Sequence, residues 1–290
     1  MIHKLKHEIA NFFKNKFINS YLDTVNKRKI INYKNINIIV IYKNDGDCDL
    51  KHIYMVLKRL YNITQYIEKT FNIILLLSPL SKKIKNNILS YINVNSGFTY
   101  LNKNDIYIVR KEEYPKVLLH ELLHHNKYIH SSFKEHNINR LKKHFNIIAN
   151  NTFDPNETIV EFWATIIHLK HISEDYNLDF YKLYLDELKY SLYKCYQLYN
   201  LPNNLLNTSN TNIYCYIIFK TILLYNLVEL QKIYTFPYND DVITDFLISH
   251  SQLPLTITKN PSKNRPDDSL CFMSYGDLYF LNNIQYHLVY

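Results

Sequence analysis

Two histidines four residues apart, His120 and His124, lie in the run His120-Glu121-Leu122-Leu123-His124, just after the apolar stretch Val117-Leu118-Leu119. On a helix, positions four apart share a face, so both imidazoles can reach one Zn²⁺. Glu121, turned by about 100° from His120, can touch a water held by that metal. Imidazole nitrogens suit zinc, and a carboxylate beside a metal-held water can take its proton. With 13 His and 11 Glu in 290 residues, about 0.02 such patterns are expected by chance, so accident is disfavoured. A bland reading, a buried helix with incidental polar residues, is weaker because three ionisable groups on an apolar helix are costly to bury without a metal.

A zinc that activates water takes three protein ligands and keeps one position open. A third ligand is offered downstream by Asn156-Glu157-Thr158-Ile159-Val160-Glu161, at the start of another helical pattern. Glu157, Glu161, Ala164 and His168 fall within one stripe about 60° wide on that helix. If Glu157 is the ligand, Glu161 lies one turn on and can accept the second ring N–H of His120 or His124, which fixes the tautomer. The reverse assignment, Glu161 as ligand, stays open. The competing reading makes Glu157 a carboxylate stabilised by the helix N-terminus and Glu161 a solvated neighbour. His168 lies about 16 Å along the axis from Glu157, too far to share an ion with it. His125, His130, His136 and His144 read as surface histidines, and Arg110, Glu112 and Glu113 as a solvated turn before the motif. Trp163 and the Tyr/Phe stripe from Phe180 to Tyr199 read as core.

The elements that must position these residues can be read from periodicity. Ile2 to Leu22 predicts one amphipathic helix, Ile36 to Tyr42 and Phe71 to Leu77 two buried strands, and Leu50 to Ile67 a helix between them. A helical piece near Ser81 to Tyr91 precedes two extended segments, Ser96 to Leu101 and Asp105 to Arg110, able to pair as a hairpin across Asn102-Lys103-Asn104. Pro115 suits a first helical turn, and Val117 to Tyr128 follows as the helix bearing the histidines. Further helices are expected around Ile138 to Ile148, over Glu157 to His171, and onward to about residue 235, with mixed and irregular structure beyond. The fold class is thus α+β: a small mixed sheet with helices in the N-terminal part, then a mainly helical C-terminal part. The expected partition is a catalytic region, 1–171, and a helical region, 172–290, placed to close a cleft.

Composition excludes several classes. Only three glycines occur, none close to another, which rules out a dinucleotide fingerprint or a P-loop, and so a nucleotide cofactor. The net charge of +8 is mild for this length, and its basic clusters lack a zinc-finger, RNA-binding-sheet or helix-turn-helix signature; nucleic acid is not the expected partner. Cys48, Cys195, Cys215 and Cys271 stand far apart, which argues for a reducing compartment. The first residues lack a secretory signal. The most apolar segment, Ile213 to Leu230, contains Lys220 and reads as a buried helix rather than a membrane span. An intracellular location is expected. Abundant Asn, Lys, Ile and Tyr match an AT-rich genome, a microbe or a large DNA virus, which would put the protein in host cytoplasm or virion.

The two linked motifs, H-E-x-x-H and N-E-x-x-x-[DE], resemble those of the gluzincins, the thermolysin-like group of zincin metallopeptidases. The resemblance covers about fifty residues, Val117 to His168. It implies a zincin-like fold, Zn²⁺ as cofactor, His120, His124 and Glu157 as ligands, Glu121 as general base and Glu161 as the acid that orients a ligand histidine. It further implies a protein or peptide substrate, a sheet edge that pairs with it, a role suited to Ser96–Leu101 or Asp105–Arg110, and an oxyanion donor after the third ligand, with Tyr275, Tyr286 and His287 as candidates. The sequence departs from the group in two places. The gap from His124 to Glu157 is 33 positions, nearer to clostridial neurotoxin light chains than to thermolysin-like enzymes, and Asn126 replaces a usually apolar residue. The metzincin pattern fails because glycine is absent from 98 to 275. A second expectation from another class is an inactive zincin fold in which zinc is structural and the protein serves as a binding module.

Overall fold

The computed structural model describes residues 2–66, 69–80, 82, 91–100, 103–125, 129, 132–148, 153–200, 211–255 and 274–276. In chain order the elements are α1 (Ile2–Phe13), α2 (Lys16–Thr24), β1 (Lys27–Tyr33), β2 (Ile36–Tyr42), α3 (Leu50–Thr64), β3 (Phe71–Ser78), α4 (Tyr91–Val94), β4 (Gly97–Thr99), β5 (Asp105–Arg110), α5 (Tyr114–Leu123), α6 (Glu135–His144), α7 (Asn156–Asp175), α8 (Phe180–Tyr199), a π-helical stretch (Tyr214–Phe219), α9 (Lys220–Tyr225), α10 (Leu227–Ile233) and α11 (Asp240–Ser249). The class is α+β. The chain forms two compact units, one of residues 1–81 and 95–125, the other of 82–94 and 126–290. The expected helical piece near Ser81 lies almost wholly outside the described residues.

The first unit is built on a sheet ordered β1-β2-β3-β5-β4. β2, β3 and β5 are parallel, with β1 and β4 antiparallel at the two ends. A parallel sheet covered on both faces needs apolar side chains on both, which is why β3 reads as a nearly continuous apolar run, Phe71-Asn72-Ile73-Ile74-Leu75-Leu76-Leu77, broken only by Asn72. One face packs Ile41, Ile74, Leu76, Tyr107 and Val109 against Leu5, Ile9 and Phe13 of α1 and Ile18 and Leu22 of α2. The other face places Ile73 and Ile106 beside Leu60 of α3 and Leu118 and Leu122 of α5.

The N-terminal helix is two helices rather than one. Lys14 takes a left-handed φ of 46°, and the Asn15 side chain caps α2 by accepting the Phe17 N–H at 2.9 Å. The apolar spacing continues through the break, so periodicity alone hides it. β1 was not expected at all. Its exposed Lys27, Arg28 and Lys29 give no alternating apolar signal, as befits the charged strand at a sheet's end.

In the second unit, α7 packs against α8, the π-helical stretch and α9. The segment Ile213 to Leu230 is buried as expected through Leu224, but it is divided at the π-helical stretch and again at Asn226. Its Lys220 is fully enclosed and faces the equally enclosed Glu187, Nζ to Oε1 3.3 Å. Glu187 Oε2 also accepts from Ser274 Oγ (2.7 Å) and the Tyr275 N–H (2.7 Å), so one buried carboxylate ties α8, α9 and the 274–276 segment. The region beyond 235, expected to be mixed and irregular, contains α11, whose Asp240 accepts the Lys134 N–H (2.9 Å) at the start of α6. No helix among the described residues is long and apolar enough to cross a membrane.

Gly97 starts β4 where sheet and helix crowd together. A Cβ there would stand 2.8 Å from Ile108 Cδ1, 2.9 Å from Tyr107 O and 2.9 Å from Val117 Cγ1 of α5. The carbonyl cannot swing aside, so Gly97→Ala is expected to lower stability by about 1–3 kcal/mol through overpacking. Urea unfolding checks this, and an unshifted midpoint would contradict so close an approach.

Candidate metal centre

α5 spans Tyr114–Leu123, with Pro115 in its first turn and every residue buried. It begins earlier than the expected Val117 and ends earlier than Tyr128, with Asn126 to Tyr128 outside the described residues. A helix this enclosed must be held at both ends by polar groups that find partners. At its start, the Tyr114 hydroxyl and His52 Nδ1 of α3 share a hydrogen bond, and the two rings stand edge to face with centroids 5.2 Å apart. Burial is the main cause that lowers the His52 pKa to about 3, with Arg59 and Lys111 adding to it against Asp49.

The turn before α5 is not solvated, contrary to expectation. Arg110 and Glu113 are both buried. Arg110 donates from Nη1 to Leu80 O (3.0 Å) and from Nε to Asn95 O (3.4 Å), and Glu113 Oε2 accepts from Ser96 Oγ at 3.4 Å. These charges brace the ends of β3, β4 and β5 around the start of the helix.

The structure brings His120 and His124 together. Their Nε2 atoms lie 3.2 Å apart, with ring centroids 5.0 Å apart and planes at 73°. His124 is the cap residue after Leu123 but keeps helical dihedrals, φ −60° and ψ −25°, so the four-residue spacing still sets both rings on one side. Two nitrogens 3.2 Å apart, each at the usual zinc distance of about 2.05 Å, subtend about 100° at the ion, close to tetrahedral. The donor pair therefore fits zinc. Glu121, between them in sequence, is buried, as is His120.

In the second unit, Glu157 occupies the first turn of α7 and is partly buried, while Glu161 is buried one turn on. The stripe is as expected: Ala164 and His168 are also buried on this helix. Asp154 accepts the Asn156 N–H at 3.0 Å, which fixes the entry to α7 just before Glu157. Glu161 is thus not a solvated neighbour. Trp163 is half-buried rather than core, with Nε1 donating to Tyr234 OH at 3.0 Å. In the aromatic stripe of α8, Tyr184, Tyr190 and Tyr193 are core, but Tyr181 is exposed.

Tyr275 sits beside Glu187, whereas Tyr286 and His287 lie outside the described residues, as does His130. His136 and His144 are exposed, as expected. His125 is not: its Nε2 is 2.7 Å from Thr99 Oγ1. Of the two strands able to present an edge, β5 lies inside the sheet between β3 and β4, so β4 is the one at the end. The links through His52 and His125 had no sequence signal, because their partners are 62 and 26 residues away.

The chain matches no protein-family model, no curated protein and no solved structure.

His52 makes the start of α5 sensitive to acid. Its folded pKa, about 3, is below the ordinary value near 6.5, so the unfolded chain takes up the proton first. Its contribution is complete above about pH 6.5 and is lost as pH falls from there toward 3. NMR titration of the His52 ring is expected to show no protonation at pH 5, and a midpoint near 6.5 would contradict the enclosed, neutral ring.

Proposed function

We propose that the chain is a zinc-dependent metallopeptidase with a zincin-like fold. The observation that carries this reading is the pair of imidazole Nε2 atoms 3.2 Å apart on a buried helix, with Glu121 between them in the sequence. His120 and His124 would hold the ion, and Glu157 would complete the set; Glu161 is the alternative third ligand, with Glu157 then beside it. When bound, zinc supplies a Lewis acid that lowers the pKa of water at its open position and polarises the scissile carbonyl. Glu121, buried on α5, would act as the general base that takes a proton from the attacking water. Glu161 would serve as the acid that accepts a ring N–H from one ligand histidine, a role that would keep the other nitrogen free of its proton for the metal. β4, at the end of the sheet, offers backbone groups to an extended peptide substrate.

Support comes from the chemistry of the donor set, from the improbability of the motif, and from the sheet that ends in a short antiparallel strand beside the histidine helix. Zinc held only for stability would make the protein a binding module instead.

On the purified chain loaded with zinc, hydrolysis of a mixed peptide library should be abolished by chelation and restored by zinc. Glu121→Gln should reduce it by about 10²- to 10⁴-fold with zinc still bound, because the ligands survive the change. Undiminished cleavage by Glu121→Gln would refute the general-base role, and zinc uptake without hydrolysis would favour the binding-module reading.

A further inference from the structure

α5 ends at Leu123, so His124 stands where the helix has run out of its own hydrogen bonds. The next residue then decides how firmly that imidazole is held. His125 secures the chain in two ways: its backbone N–H reaches Leu122 O at 3.0 Å, and its Nε2 lies 2.7 Å from Thr99 Oγ1. The Thr99 hydroxyl donates to Asp105 O at 3.1 Å, so its oxygen accepts and His125 Nε2 carries the proton. The His125 ring also stands edge to face with Phe71, centroids 5.6 Å apart, and Phe71 is buried. Asp105 is fixed in turn by Asn72 Nδ2 at 2.8 Å. Thr99 is the last residue of β4, Asp105 the first of β5 and Phe71 the first of β3. Two strand ends therefore meet at one imidazole and a third is tied in through Thr99, directly after His124.

We infer that His125 is a positioning residue that holds His124 and strand β4 at one fixed spacing, so that the metal pair and the strand offered to an extended peptide stay in register. This rests on the metallopeptidase reading. His125 acts through its neighbours: its side chain is engaged by Thr99 and Phe71, and its backbone closes the last turn of α5. A side chain that only packed the sheet end would affect folding stability but would not link zinc affinity to the exchange of β4 amides.

The test uses the full chain and four variants. Thr99→Val keeps the shape and removes the acceptor, and His125→Phe keeps the ring and removes the donor; Thr99→Ser and His125→Gln retain the hydrogen-bonding groups. Zinc affinity is measured by competition with a chelating dye, and hydrogen exchange is followed at the amides of β4. Thr99→Val and His125→Phe are expected to bind zinc about tenfold more weakly, the lower end of the effect of losing a group that orients a ligand. Exchange in β4 should rise by about fivefold, the equivalent of one net hydrogen bond. Both effects should be largely reversed in Thr99→Ser. On an extended peptide, KM should rise in the same two variants more than kcat falls. Wild-type zinc affinity together with unaltered β4 exchange in Thr99→Val would overturn the inference. Absence of zinc from the wild type would refute the metallopeptidase reading and the metal arm with it. The exchange arm decides the tie between His125 and β4 independently.

Discussion

Two imidazole nitrogens held side by side on a fully buried helix set the terms for the rest of the first unit. Their approach, 3.2 Å between Nε2 atoms, suits a shared cation, and it is reached only if α5 keeps its helical path through His124. Burial supplies most of that constraint. The sheet offers an apolar face to Leu118 and Leu122, Gly97 lets β4 come close beneath Val117, and Arg110 and Glu113 hold the incoming turn from inside rather than from solvent. Tyr114 with His52 fixes one end of the helix, and His125 with Thr99 fixes the other. The contacts of Arg110, Glu113, Tyr114 and His125 answer one difficulty: polar groups can be enclosed only when they have partners.

The second unit solves a similar problem by a different device. α7 carries Glu157 and the buried Glu161 on a helix packed by α8, α9 and the π-helical stretch. Inside that packing lies the Glu187–Lys220 pair, both side chains fully enclosed. Such pairs contribute little net stability when complete and cost much when broken, so their value is to fix which helices meet. Glu187 further gathers the hydroxyl of Ser274 and the N–H of Tyr275, which ties a segment remote in sequence to the helices that position the carboxylates.

Much of this was legible in the sequence, for reasons that can be given residue by residue. β2 and β3 announce themselves because strands covered on both faces are apolar almost throughout, with Asn37 and Asn72 the exceptions near their starts. α5 and α7 are marked by functional spacing, and the Glu157–Glu161–Ala164–His168 stripe survives as a run of partly or fully buried positions. The failures share a cause: they depend on a partner distant in sequence or on one dihedral angle. The break between α1 and α2 resides in the left-handed Lys14, while apolar spacing runs on undisturbed. Arg110 looks solvated until its acceptors, the carbonyls of Leu80 and Asn95, are known. His125 looks like a surface histidine until Thr99 arrives beside it. β1, exposed and basic, has no pattern to read. The pairing of the two imidazoles follows from local helical geometry alone.

The most direct measurement is elemental analysis of zinc in the purified wild-type chain beside His120→Ala and Glu157→Ala. The account predicts about one zinc per wild-type chain and a large loss in both variants, since removing one of three protein ligands leaves too few donors to retain the ion. Retention of zinc by Glu157→Ala would move the third ligand to Glu161 or elsewhere. A wild-type chain that takes up no zinc when supplied with it would contradict the central claim that the His120–His124 pair is a metal site.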